Sequence, residues 1–147
     1  MTEEGYSGSL QEGRQMTNLE KMWGIDVQDE EVFLSFLFEQ APENSYWKIE
    51  LHCLQSEDEA FLSQLGKSTN MNSTSELLIP LTEIVRPKLI SKVQEIGGLI
   101  HHRIDANGEP FMISYDSFSS CWLSKKISQS VIDNMVHKGI FLVNQNK

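Results

Sequence analysis

Apolar and polar residues alternate on both sides of the dipeptide Asn107-Gly108, over the stretch from Leu99 to Tyr115. Asn-Gly readily adopts the two positive φ angles of a type I′ turn, and alternation is the pattern of a half-buried strand. The stretch therefore predicts a β-hairpin. The opposed pairs on one face of this hairpin would be Ile104 with Phe111, His102 with Ile113 and Ile100 with Tyr115.

The rest of the chain mixes strand and helix patterns. Tyr46 to Leu54 alternates and predicts a half-exposed antiparallel strand, whereas residues 67–75 are typical of a polar loop. Short apolar runs occur at 22–27, 77–81 and 140–143. Helical spacing predicts four helices, at 29–41, 56–65, 87–96 and 128–138. The first would be opened by Asp26 or Gln28, the second by a Ser56–Glu59 capping box, and the last by Ser128 as N-cap. The sum is an α+β fold: a mostly antiparallel sheet with a central Asn-Gly hairpin and helices packed on one face.

Length and composition favour one domain. We expect residues 1–18, rich in Gly, Ser, Glu and Gln, to form a flexible tail, and residues 19–147 to form a single α+β domain. Two cysteines, Cys53 and Cys121, are too few for a disulfide framework. No stretch resembles a signal peptide, and no apolar run approaches the roughly 18 residues of a membrane span. These features predict a cytoplasmic protein.

Charge divides the chain into two unlike halves. Residues 1–66 contain 14 acidic and three basic residues, whereas residues 67–147 contain seven acidic and nine basic residues. An acidic field repels nucleic acid and anionic membranes and attracts basic proteins. The sequence therefore predicts a basic protein as the partner, and neither nucleic acid nor membrane.

Catalytic and metal-binding patterns have little support. His101 and His102 would point to opposite faces of a strand and could not bind one metal ion together. Cys121 with a histidine and Asp105 or Asp116 would make a thiol site, but the residues around it match no local motif. The familiar nucleotide, hydrolase and zinc motifs are absent from the sequence. We expect a binding protein without metal or cofactor rather than an enzyme.

Two acidic triplets lie where helices are predicted to begin: Asp29-Glu30-Glu31 and Glu57-Asp58-Glu59. Carboxylates are stabilised there by the helix dipole and by free N–H groups, which explains each triplet singly. The acidity of the whole first half is not explained in this way. We therefore treat the triplets as candidate contact residues for a basic partner.

In size, acidity and single α+β domain, the chain resembles small bacterial immunity proteins, including those paired with contact-dependent inhibition toxins. The resemblance implies a monomer or weak dimer that neutralises a cognate, nuclease-type toxin by covering its basic active site. The residues that we expect at such an interface are the acidic Asp29, Glu30, Glu31, Glu50, Glu57, Asp58 and Glu59, and the aromatic Trp23, Tyr46 and Trp47.

Two alternatives remain open from the sequence. An acidic secretion chaperone would use a surplus apolar flank of the helix that contains Val32 to Phe38. A small enzyme or ligand-binding protein would use the region of His101, His102 and Cys121.

Overall fold

The computed structural model describes residues 22–71, 74–96, 99 and 101–144. The strands are β1 Met22–Val27, β2 Ser45–Glu50, β3 Lys67–Met71, β4 Thr74–Pro80, β5 His102–Ala106, β6 Glu109–Tyr115, β7 Ser120–Ser124 and β8 Phe141–Val143. The helices are α1 Glu30–Gln40, α2 Ser56–Ser63, α3 Val85–Ile90 and α4 Gln129–His137. A 3₁₀ turn, Leu51–Cys53, follows β2. The predicted tail, residues 1–18, lies outside the described residues.

All eight strands form one sheet in the order β3-β4-β2-β5-β6-β7-β1-β8. Every pair of neighbouring strands is antiparallel. One face of the sheet carries the fully buried Trp47 and Ile104, which are cross-strand partners. Residues of all four helices join the core cluster on this face, among them Leu37, Leu62, Leu89 and Ile132. The predicted α+β class and its mostly antiparallel sheet are confirmed.

The strands β5 and β6 are joined by Asn107 and Gly108, whose φ angles are 54° and 80°. A β-bulge then shifts the register, so Ile104 pairs with Met112 and His102 pairs with Ser114. The predicted pairs of these two residues are wrong because Phe111 is an extra residue on β6. As a consequence, Met112 and Ser114 face the core, and Ile113 turns to the opposite face beside Arg103. Ile100 lies outside the described residues.

Three local predictions also need correction. Most of the predicted loop 67–75 is strand, because Lys67–Met71 pairs with β4 as an edge strand and β4 begins at Thr74; residues 72 and 73 lie outside the described residues. Backbone pairing on one side suffices for such a strand, so its polar sequence is tolerated. The Ser56–Glu59 capping box does not form, since Gln55 is the N-cap of α2 and its side chain accepts no capping hydrogen bond. The third helix, α3, ends at Ile90, and residues 91–95 continue it only as turns.

The predicted cap of α4 is confirmed, because the Ser128 side chain accepts from the N–H of Val131. At α1, the N-cap is Asp29 rather than the predicted Asp26 or Gln28, and its side chain accepts from the N–H of Val32. None of the described helices is long and apolar enough to cross a membrane.

Arg86 fixes the C-terminal end of α1 to the turn before α3. Its guanidinium donates four hydrogen bonds, all to main-chain carbonyls: those of Phe38, Ala41, Pro42 and Leu81. A cation is favoured at a helix C-terminus, where carbonyl groups lack intrahelical partners. Nothing in the local sequence indicated this role, because the carbonyls lie more than 40 residues away, apart from that of Leu81.

Candidate partner-binding site

The N-terminus of α1 presents the first acidic triplet to solvent. Asp29, Glu30 and Glu31 are all exposed, and the side chain of Asp29 caps the helix. The first turn leaves backbone N–H groups without helical acceptors, which stabilises carboxylates in this position. The start of the helix therefore places Glu30 and Glu31 on the surface, next to the capping Asp29.

A cavity of about 180 Å³ opens beside this helix end. Glu30 and Glu31 line it together with Leu34 from the next turn of the helix. The remaining lining residues come from two segments distant in sequence: Val93, Gln94, Ile96, Leu99, Ser117 and Phe118. The cavity thus combines two exposed carboxylates with five apolar residues and two uncharged polar ones.

The turn from Asp116 to Phe118 forms one wall of the cavity and has an unusual backbone. All three residues have positive φ, at 54°, 56° and 71°, although none is glycine. Each such residue costs roughly 1–2 kcal/mol. The turn is held by the buried Phe118 ring, which packs edge-to-face against two other rings; its centroid lies 4.9 Å from that of His102 and 5.8 Å from that of Phe33.

The second acidic triplet lies in the first turn of α2, where Glu57 and Glu59 are exposed and Asp58 is half-buried. The segment 91–96 contacts both acidic helices. Its Lys92 Nζ lies 5.8 Å from the ring centroid of Phe61 in α2. Its Val93 and Gln94 line the cavity beside α1.

The carboxylates of the two helix starts are available to a partner. Among the described residues, no basic side chain lies within ion-pair distance of four of them, namely Glu30, Glu31, Glu57 and Glu59. These groups therefore add uncompensated negative charge to the surface of the protein.

The other predicted contact residues lie elsewhere. Tyr46, 43% exposed, is on the sheet face opposite the core, and Glu50 on the same strand lies 3.7 Å from the imidazole of His52. Trp23 is partly buried, with Lys125 Nζ at 5.2 Å from its ring centroid. Trp47 is fully buried, so its prediction as an aromatic anchor is wrong. Alternation along β2 turns Trp47 into the core and Tyr46 outward.

His101 and His102 point in different directions. The His101 ring contacts Tyr115 at 5.5 Å, and its Nδ1 accepts from the N–H of Asp116. His102 faces the core, where cross-strand pairing aligns it with Ser114 and then Cys121. Burial and, to a smaller extent, the nearby His101 lower the pKa of His102 to about 3.

Two further observations bear on the alternatives. The described residues contain no group of three or more His, Cys, Asp or Glu side chains arranged for a metal ion. Five apolar residues of α1, namely Phe33, Leu34, Phe36, Leu37 and Phe38, are buried in the core of this chain, while Val32 is 44% exposed. The surplus apolar flank that a chaperone would use is therefore not present on this helix.

The cavity wall was not predicted, because Leu99 and Phe118 join Glu30 only through the tertiary fold. Comparison of the chain with protein-family models, with curated proteins and with solved structures finds no match.

Proposed function

We propose that this protein is an immunity-type inhibitor that binds a basic protein, namely a nuclease-type toxin, and covers its active site. The observation that supports this proposal is the cavity of about 180 Å³, lined by five apolar residues and by the exposed Glu30 and Glu31. A nuclease active site contains lysine and arginine side chains that bind phosphate. An acidic surface can occupy such a site in place of nucleic acid.

The cavity suits one lysine or arginine side chain of the partner. Such a side chain has an apolar stem and a cationic end. The stem would contact Leu34, Val93 and Phe118, and the cation would form ion pairs with the carboxylates of Glu30 and Glu31. An arginine held in this way is typical of the residues that dominate binding energy at interfaces.

The wider charge distribution supports fast association. Glu30, Glu31, Glu57 and Glu59 are exposed and have no ion-pair partner among the described residues, so their charges add to the negative field of the chain. Complementary fields raise association rates more than they raise affinity, and salt weakens them. The proposal therefore requires association that is rapid at low salt and slow at high salt.

The first experiment identifies the partner. Tagged full-length protein is used to capture proteins from the native cell lysate at low and at high salt, and the retained proteins are identified by mass spectrometry. The expected result is one stoichiometric basic protein, released by salt, whose toxicity in cells is suppressed by co-expression of this chain. Retention of no such protein would contradict the proposal.

The second experiment places the interface by association kinetics with the purified partner. The double variant E30K/E31K should associate about tenfold or more slowly at low salt and show a weaker salt dependence. The matched control is E39K/E43K, which makes the same change of net charge at the other end of α1, where both residues are exposed. Equal effects of the two variants would show that net charge matters and the cavity does not.

A further inference from the structure

The buried face of the central strands contains two polar atoms with complementary hydrogen-bonding capacity. They are Nε2 of His102 and Oγ of Ser114. His102 is 3% exposed and Ser114 is fully buried, and cross-strand pairing of β5 with β6 makes them direct neighbours on the same face. Neither atom has a hydrogen-bond partner among the described residues.

The hydrogen bond on the other side of the imidazole fixes where its proton lies. Trp47 Nε1 donates to His102 Nδ1 over 3.0 Å. A ring nitrogen that accepts carries no hydrogen, so the neutral imidazole carries its hydrogen on Nε2. His102 therefore has a buried N–H donor without a partner among the described residues, and Ser114 supplies an oxygen that both donates and accepts.

A direct bond between the two side chains is disfavoured by their lengths. Directly opposed residues on antiparallel strands have Cβ atoms about 4.5–5.5 Å apart. Nε2 is at the far end of the imidazole, whereas Oγ is one bond from Cβ. The two atoms therefore lie at different heights above the sheet, and the aromatic rings of Trp47 and Phe118, which contact His102, limit how far its ring can tilt.

We propose that His102 and Ser114 hold one buried water molecule, which accepts from His102 Nε2–H and donates to Ser114 Oγ. Buried waters typically occupy such positions, with two to four polar partners. An unsatisfied buried donor or acceptor costs about 1–3 kcal/mol, and one water satisfies both groups. The result is a continuous chain from Trp47 through His102 and the water to Ser114, which spans β2, β5 and β6.

The test is a crystal structure of the full chain at a resolution that shows ordered water, together with the variants S114A and S124A. We expect density for one water within hydrogen-bond distance of both atoms, and loss of that water in S114A. Ser124 is also buried on a neighbouring strand, but its Oγ accepts from the N–H of Lys126, so S124A should retain the water.

Two results would overturn the proposal. One is a direct bond between Ser114 Oγ and His102 Nε2 with no density between them. The other is a water that remains in place in S114A. If S114A does not fold, the structure of the unaltered protein alone decides between the bridged and the direct arrangement.

Discussion

Trp47 Nε1 donates a hydrogen bond to His102 Nδ1 over 3.0 Å, and both side chains are buried. The pair is diagonal across two strands, since Trp47 opposes Ile104 and His102 opposes Ile49. The variant W47F removes the donor, leaves Nδ1 buried without this partner and opens a small cavity. We expect the free energy of unfolding to fall by about 2 kcal/mol or more, as measured by urea denaturation.

The matched control for this prediction is W122F. Trp122 lies on the opposite face of the same sheet, is only partly buried and contacts Tyr115 edge-on at 6.3 Å. Its replacement should lower the free energy of unfolding by less than that of Trp47. A larger loss in W122F than in W47F would contradict the assignment of the Trp47–His102 pair as a main support of the core.

His102 also predicts the dependence of stability on pH. Its pKa falls from 6.5 to about 3 in the folded chain, chiefly because burial disfavours the charged imidazole. Below the unfolded pKa, the unfolded chain binds a proton at this residue and the folded chain does not. Between about pH 6.5 and pH 3, the free energy of unfolding should therefore decrease by about 1.4 kcal/mol for each pH unit of acidification through this residue. Above pH 6.5, both states are neutral at His102 and its contribution should not change.

Nuclear magnetic resonance can isolate this residue from the carboxylates that titrate at lower pH. Ring chemical shifts of His102 should stay at the neutral values down to about pH 5, while the native fold persists. The shifts should also show hydrogen on Nε2. A titration of the His102 ring with a midpoint at its ordinary pKa would contradict the burial that causes the predicted loss of stability.

Arg86 offers a test of how α1 is anchored. The variant R86K keeps the charge but cannot reproduce a planar group that donates to four carbonyls at once. We expect the free energy of unfolding to fall by about 1–3 kcal/mol in urea denaturation. The control K88R changes an exposed residue of the same helix, α3, and should have little effect. Equal stability of R86K and the unaltered protein would show that charge alone suffices.

How far the sequence predicts the fold depends on how local each signal is. Helix starts with side-chain caps and the positive φ angles at Asn107 and Gly108 follow from a few adjacent residues. The register of β5 and β6 beyond that turn does not follow from local sequence. The bulge at Phe111 depends on how β5 pairs with β2 and how β6 pairs with β7. The polar strand Lys67–Met71 was missed for a similar reason: its partner β4, rather than its own pattern, makes it a strand.

The same distinction applies to the candidate site. Exposure of Asp29, Glu30 and Glu31 follows from their position at a helix start. The wall of the cavity could not be predicted, because Phe118 reaches it through three consecutive positive φ angles, a conformation that non-glycine residues seldom adopt in succession. The burial of Trp47 could be predicted, because alternation places it on the apolar face of its strand with Ile49, and that face is the one that the core covers.

Gly66 and Gly108 require glycine for different reasons: close contact with a neighbouring strand at Gly66 and a positive φ angle at Gly108. A Cβ atom on Gly66 would lie 2.1 Å from the carbonyl oxygen of Leu78 and 2.9 Å from Cα of Ile79, both backbone atoms of β4. A Cβ on Gly108 would have no described atom within 4 Å, but its φ is +80°. We therefore expect G108A to cost about 1–2 kcal/mol and G66A to cost more, because a strand must move.

The measurement for this pair is urea denaturation combined with amide hydrogen exchange. In G66A, faster exchange should be concentrated in β3 and β4, because the crowded contact is between the residue before β3 and Leu78. In G108A, faster exchange should be concentrated at the ends of β5 and β6 next to the turn. A smaller loss of stability in G66A than in G108A would mean that β4 gives way at little cost and that the close approach does not fix the edge of the sheet.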